Sequence, residues 1–203
     1  MTILSLEKGQ IASVITALEM TSRPDISIQP QNTDILDAEN QRYHLEYWQN
    51  PETAPYLDLF RQIGSPWLWF SRLELDSSEL QALITHPKIE IYRLRDQDQQ
   101  IIGLVELDFR QEGQCEIVFF GLSSACLGKK LGHPMMRHTL SKAWRPDVRR
   151  VWLHSCSLDH PAALRFYQKH QFRPFQRMIE IHEDPRLTGL LPKEAAPHIP
   201  VID

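Results

Sequence analysis

Between Leu122 and His133 the chain reads Leu-Ser-Ser-Ala-Cys-Leu-Gly-Lys-Lys-Leu-Gly-His, at the junction of an apolar run and an amphipathic segment. A strand that turns into a helix N-terminus aims several unpaired backbone N–H groups, and the positive end of the helix, at one place. Such a junction seats a phosphate or pyrophosphate. The charge pattern agrees. No Asp or Glu occurs from Ile117 to Pro146, yet Lys129, Lys130, Arg137, Lys142 and Arg145 fall in that window, in a chain whose formal net charge is −4. The residues expected to hold a polyanionic small ligand are those of the turn: Leu127, Gly128, Lys129, Lys130, Leu131, Gly132 and His133.

Positioning that turn requires a sheet and helices, and hydrophobic periodicity supplies both. Residues 11–20 are β-branched and apolar and read as a strand, although Ile11, Val14, Ile15 and Leu18 also fit a helical stripe. Residues 21–40, with Pro24 and Pro30, read as a polar surface connection, and residues 43–49 as a short strand. Residues 51–63 predict a helix with Tyr56, Leu59, Phe60 and Ile63 on one face and Gly64 as its stop. Asp76-Ser-Ser-Glu79 is a capping box opening a second helix that ends before Pro87. Residues 88–95, 101–110 and 114–122 predict a three-strand meander. Residues 131–144 predict a helix with Pro134 in its first turn, where a missing N–H is harmless. A strand over 149–155 follows, then a helix over 159–170 capped by Asp159 or His160, and a strand over 172–182. The tail over 183–203 carries Pro185, Pro192, Pro197 and Pro200 and is expected to lie extended on the surface or against a partner. The fold class expected is α/β (α+β): a mixed, mostly antiparallel central sheet of six to seven strands flanked by helices on both faces.

Bulk composition narrows the function. At 203 residues the chain suits one domain with decorated ends. A sequence pI near 6.1 argues against nucleic-acid binding, and no apolar run approaches the ~20 residues a membrane span needs. Residues 1–10 include Glu7 and Lys8 and lack a signal-peptide core, so a cytoplasmic location is expected. Cys115, Cys126 and Cys156 are odd in number and widely spaced, and the nine histidines form no HExxH, so neither disulfide nor metal is expected.

Three segments together resemble the GNAT superfamily of acetyl-CoA-dependent N-acetyltransferases. The family's acyl-CoA loop, Q/R-x-x-G-x-G/A, falls on Leu127-Gly-Lys-Lys-Leu-Gly132, where Gly132 matches while Leu127 and Lys130 depart from it. Glu116-Ile-Val-Phe-Phe-Gly-Leu-Ser-Ser124 resembles the family's fourth strand. His160-Pro-Ala-Ala-Leu-Arg-Phe-Tyr-Gln-Lys-His-Gln-Phe172 resembles its N-x-x-A-x-x-x-Y-x-x-x-G-F signature, matching at Ala163, Tyr167 and Phe172 with His160 for Asn and Gln171 for Gly. This likeness spans residues 43–182, and the whole chain, including Trp67-Leu-Trp69 and Thr188-Gly-Leu-Leu-Pro192, resembles a bacterial subgroup.

The resemblance implies acetyl transfer from acetyl-CoA to a primary amine by direct attack. It puts Tyr167 beside the CoA sulfur as proton donor, since a phenol near pKa 10 holds its proton above a thiol's ~8.5. Glu116 is the candidate base, because alternation groups it with Val118, Phe120 and Leu122 and apolar neighbours raise a carboxyl pKa; Glu106 and His154 are the alternatives. Backbone of Phe120 and Leu122 is expected to pair with pantetheine as an added strand, with His160 near the cofactor or capping its helix. Trp67, Trp69 and Arg72 are expected at the acceptor wall, where an aromatic or cationic acceptor is conceivable, although packing competes as their role. A non-catalytic acyl-CoA-binding module and a longer-chain acyltransferase are the rival readings, the latter disfavoured by the bulk of Phe119 and Phe120. The acceptor is left open between a small amine and a peptide, and a homodimer is an open possibility.

Overall fold

The computed structural model describes residues 3–25, 33–36, 41–126 and 128–203. Its strands are β1 (Gln10–Met20), β2 (Asp34–Leu36), β3 (Arg42–Tyr47), β4 (Ile89–Arg95), β5 (Ile101–Asp108), β6 (Gln114–Leu122), β7 (Arg150–Cys156) and β8 (Arg173–Glu183). The helices are α1 (Thr53–Gly64), α2 (Ser77–Ile84), α3 (Gly132–Ala143) and α4 (Ala163–Lys169), with a 3-10 turn at Ser65–Trp67. All eight strands form one sheet in the order β2-β3-β4-β5-β6-β7-β1-β8. Among the described strands only β6 and β7 pair in parallel, joined through α3. The mixed sheet and its helices are those expected, with eight strands rather than six or seven.

Two features of the sheet are absent from the sequence reading. The short β2, within a stretch read as a polar connection, pairs with β3 at Ile35–Tyr43 and buries both side chains. The place of the N-terminal strand in the sheet is the second, since its periodicity assigns it none. β1 lies between β7 and β8, antiparallel to both, with Ala17 opposite His154 on one side and Gln176 on the other. Local periodicity cannot reveal such an insertion, because the pairing partners lie more than 130 residues away.

The sheet separates two cores. On one face α1 and α2 lay Tyr56, Phe60, Ile63, Leu80 and Ile84 over Ile89, Ile91 and Leu104. Tyr56 and Phe60 are fully buried, and side chains of this size each contribute about 1.5–3 kcal/mol when removed from water. The capping box of α2 forms as read: Asp76 Oδ1 accepts from the N–H groups of Ser78 and Glu79, and Glu79 Oε2 accepts from the Asp76 N–H. On the other face Met135, Met136 and Leu140 of α3 pack on Val105, Leu107, Val151 and Leu153, with Phe166 and Tyr167 of α4 against the same cluster. Among the described residues no helix is long and apolar enough to cross a membrane.

The tail is ordered against its own chain. Arg186 and Asp184 form a buried ion pair (2.7 Å), and Arg186 Nη1 donates to the carbonyls of Ala195, Ala196 and Ile199. This staple presses Leu191 and Ala196 onto Ile11 of β1 and Leu68.

Candidate active site

The site is made by two strands that part. β6 and β7 pair only at Gln114–Arg150, Cys115–Val151 and Glu116–Trp152. Beyond Glu116 the edge of β6 opens on a cavity of about 440 Å3, which Ile117 to Leu122, Gly132, Ala163, Phe166 and Tyr167 help to line. Where the cavity begins, β6 carries a bulge: Leu107 pairs with Ile117 and Glu106 with Phe119, so Val118 is the extra residue. The bulge corrects the simple alternation. Ile117, Phe120 and Leu122 join the α3 core, whereas Phe119 turns to the α1 core. Glu116 therefore does not share a face with Phe120 and Leu122. Phe119 is gripped by Phe60 and Trp69 at ring separations of 5.0 Å each, and Phe120 stacks on Phe166 at 5.7 Å.

At one end of the cavity lies the turn into α3. Leu127 falls outside the described residues. Gly128, Lys129, Lys130 and His133 are exposed, and the Gly132 backbone lines the cavity with its Cα facing the Phe166 ring, 3.3 Å from where a Cβ would sit. Leu131 is instead buried in the α3 core. Lys130 adopts φ 56°, a left-handed conformation that costs a non-glycine residue about 1–2 kcal/mol. This is the position at which the resembled loop has glycine. Among the described residues the N–H groups of Gly132 and His133 find no acceptor, and Pro134 has none to offer. His133 Nδ1 lies 2.9 Å from His170 Nε2. Burial, with the charges of His133 and Arg137, pulls His170 down to about 4. Of the five cations expected around the turn, two are spent elsewhere: Lys142 packs over Tyr92, and Arg145 pairs with Glu90 and caps the Phe109 ring.

Tyr167, Asp159 and His154 also line the cavity. Burial, reinforced by the charge of Asp159, pushes the Tyr167 hydroxyl well above its ordinary pKa; among the described residues that hydroxyl has no hydrogen-bond partner. Asp159, read as a helix cap, instead clamps the end of β7: its Oδ2 accepts from the Cys156 N–H (2.9 Å) and Ser155 Oγ (2.8 Å), and Oδ1 from Trp69 Nε1 (3.4 Å). α4 is correspondingly shorter than read, and His160 Nδ1 accepts from the Ala162 N–H at its start. His160 also lines the cavity, edge-on to Trp67.

Glu116 is not among the lining residues; it reaches the cavity through His154, whose Nδ1 lies 3.3 Å from Glu116 Oε1. That hydrogen bond, opposed by burial and aided by the charges of Glu116, Asp159 and Glu180, raises the His154 pKa. Glu106 is fully buried, with one oxygen held by Arg72 Nη2 (2.6 Å) and the other by the Tyr56 hydroxyl (2.7 Å). Its carboxylate is committed to holding Arg72, and Arg72 in turn lies 4.9 Å over the Phe119 ring rather than lining the cavity.

At the far end Trp67, Leu68, Trp69 and Phe70 face strands β7, β1 and β8 across the cavity. Trp69 fits because Gly64 and Gly121 lack side chains: a Cβ on either would lie 2.5 Å and 2.9 Å from it. Ser13, Ile15, Glu180 and His182 complete this wall. Sequence reasoning missed them, since only the placement of β1 and β8 brings them to the cavity.

The comparisons with known proteins agree with this geometry. The family model described as the acetyltransferase (GNAT) family matches residues 41–172. No curated protein matches the chain in sequence. Among solved structures it is similar to a GCN5-related N-acetyltransferase from Sphaerobacter thermophilus (TM-score 0.59, 14% identity, 85% of this chain and 52% of that one). It is also similar to a GNAT-family acetyltransferase from Novosphingobium aromaticivorans (TM-score 0.55, 13% identity, 87% and 67%). A third likeness is a tandem GNAT protein from the clavulanic acid biosynthesis pathway (TM-score 0.53, 16% identity, 85% and 53%). The chain thus spans about half the length of the first and third. With the family match covering most of the chain, and the fold and the parted strands in accord, the protein belongs to the acetyltransferase (GNAT) family.

Proposed function

We propose that this protein transfers an acetyl group from acetyl-CoA to a primary amine by direct attack. The observation that carries the reading is the parting of β6 and β7 after Glu116, which opens one strand edge on a cavity running from the α3 N-terminus to Tyr167. An extended pantetheine arm fits there as an added strand, pairing with backbone of Phe120 and Leu122. The pyrophosphate then falls at the N–H groups of Gly132 and His133, with Lys129, Lys130 and the neighbouring turn residues supplying charge and further N–H donors.

In the reaction the acceptor must be a neutral amine when it attacks the thioester carbon. His154 faces the cavity and takes the amine proton, while Glu116 holds the ring and stabilises its charged form. Backbone N–H groups at the bulge polarise the carbonyl as its oxygen gains charge. As the carbon–sulfur bond breaks, the Tyr167 hydroxyl gives its proton to the leaving thiolate, and its raised pKa keeps it protonated until then. The catalytic pair is therefore Tyr167 and His154, with Glu116 as positioning residue, and acetyl is favoured over longer acyl chains because Phe119 and Phe120 bracket the bulge.

Thermal melts test the donor. Saturation at 100 times the dissociation constant adds about 2.7 kcal/mol, or roughly 5–10 °C for a chain of this size. A rise with acetyl-CoA and CoA but not with ATP is expected; no rise at millimolar acetyl-CoA overturns the reading.

A further inference from the structure

The acceptor half of the cavity contains a polar group that the transfer itself leaves unused. Ser13 is 2% exposed, and its Oγ has no hydrogen-bond partner among the described residues. A buried hydroxyl without a partner is costly, and native structures keep few of them. Ser13 belongs to the cavity wall, and directly across the β1–β8 ladder stands Glu180, which lines the same wall. One step further along, His182 opposes Ile11, its ring 4.4 Å from that of Phe70. His182 Nδ1 lies 2.9 Å from the Glu183 carbonyl oxygen. A carbonyl only accepts, so Nδ1 carries the hydrogen, and Nε2 of the neutral ring is an acceptor.

Three hydrogen-bond acceptors, one of them an anion, thus gather at one end of the cavity. An ammonium group has three N–H donors and one positive charge to match them. The group is offset along β1 from the reacting centre, though the Glu180 charge still reaches His154. Ala17 is the residue opposite His154, and Ser13 lies four residues further along β1, about 13 Å in strand length. Between the two stations the walls are apolar, from Ile15 on the sheet to Trp69 and Phe70 opposite. The far end is closed by the tail, where Leu191 and Ala196 pack on Ile11 and Leu68, which favours a small acceptor over a threaded peptide.

We propose that the acceptor is a linear diamine: one amine is acetylated beside His154 while the second, as an ammonium, is held by Glu180, Ser13 Oγ and His182 Nε2. This rests on the transferase reading above. Methylene groups of the diamine cover the apolar stretch. An amino acid, which would bring its carboxylate to Glu180, is disfavoured by like charge.

Release of CoA is followed with a thiol reagent for a series from 1,3-diaminopropane to 1,8-diaminooctane and for the monoamines of equal length. The full chain is expected to prefer diamines in kcat/KM, with an optimum length within the series. Glu180→Gln and Ser13→Ala are expected to reduce the diamine-to-monoamine ratio about ten- to hundred-fold, the range of a hydrogen bond to a charged group. The preferred diamine should also raise the melting temperature of the wild type more than that of Glu180→Gln. Equal use of diamines and monoamines by the wild type, or a ratio unchanged in both variants, overturns the proposal. A chain stabilised by acetyl-CoA that acetylates monoamines alone refutes the distal site and leaves the transferase standing. A chain that acetyl-CoA does not stabilise refutes both.

Discussion

Removing both charges of the Arg72–Glu106 pair should cost clearly less than the two single removals summed. Glu106 is wholly buried, Arg72 nearly so, and their contact is 2.6 Å, with Tyr56 closing the second carboxylate oxygen at 2.7 Å. Burial works against the Arg72 charge, but the Glu106 carboxylate outweighs it. Breaking such a pair from one side leaves an uncompensated buried charge, worth about 3–5 kcal/mol. Glu106→Gln and Arg72→Met should each lower stability by roughly that amount. For a chain of this length each kcal/mol moves the melting temperature by about 2–4 °C, so each variant should melt about 10 °C lower. In Glu106→Gln/Arg72→Met the stranded charge is gone, and the loss should fall short of the sum by about 1–3 kcal/mol. Urea unfolding with an unchanged m-value reads these differences directly. Single variants within about 1 kcal/mol of the wild type, or a strictly additive double variant, would refute the reasoning that either variant strands a buried charge.

Tyr167→Phe should lower kcat about 100-fold, the usual span of a lost general acid, with acetyl-CoA affinity within twofold; an unaltered kcat removes Tyr167 from the chemistry. The pH dependence of kcat/KM should rise with increasing pH as His154 loses its proton, because a base must be neutral to accept one. Its pKa is raised chiefly by Glu116, so Glu116→Gln should shift that rise to lower pH, and a profile that does not move separates Glu116 from His154. The stability His154 gains from its raised pKa runs the other way: it is present below the unfolded value and is lost as pH climbs through the folded one. Arg186→Ala should cost about 3–5 kcal/mol by stranding Asp184 and three carbonyls, and should make the tail cleavable by limited proteolysis; a resistant tail would show that other contacts hold it.

Most elements were legible because each carries a local signal. Tyr56, Leu59, Phe60 and Ile63 repeat at helical spacing, Asp76 and Glu79 sit three apart at a cap, and Pro134 marks a first turn. The turn into α3 was legible for the same reason. Other features depend on partners distant in sequence. The segment after Glu116 is a continuous apolar run, Ile117 to Phe120, so nothing local announces that Val118 is extra; only pairing with β5 reveals it. Asp159 looks like a helix cap because a helix follows, yet three groups from β7 and Trp69 claim its oxygens first. The cluster of positive charge was real as composition, but Arg145 and Lys142 turn inward to Glu90 and Tyr92.

The cavity is assembled from two stretches of different standing, and this bears on where acceptor choice resides. The half of the cavity proposed to hold the donor, comprising the β6 edge, the turn into α3 and Tyr167, lies within residues 41–172, the range matched by the family model. The wall proposed to hold the acceptor, formed by Ser13, Ile15, Glu180 and His182, lies outside that range, on strands drawn from the two ends of the chain. β1 reaches the wall by inserting between β7 and β8, and each of its inward side chains meets a β8 partner directly across the ladder. On the proposal above, a substitution at Ser13 changes what the cavity recognises away from the thioester, whereas one at Glu180 also removes a charge that helps raise the His154 pKa. The acceptor of this chain is thus to be sought in those two strands, because general family chemistry does not constrain them.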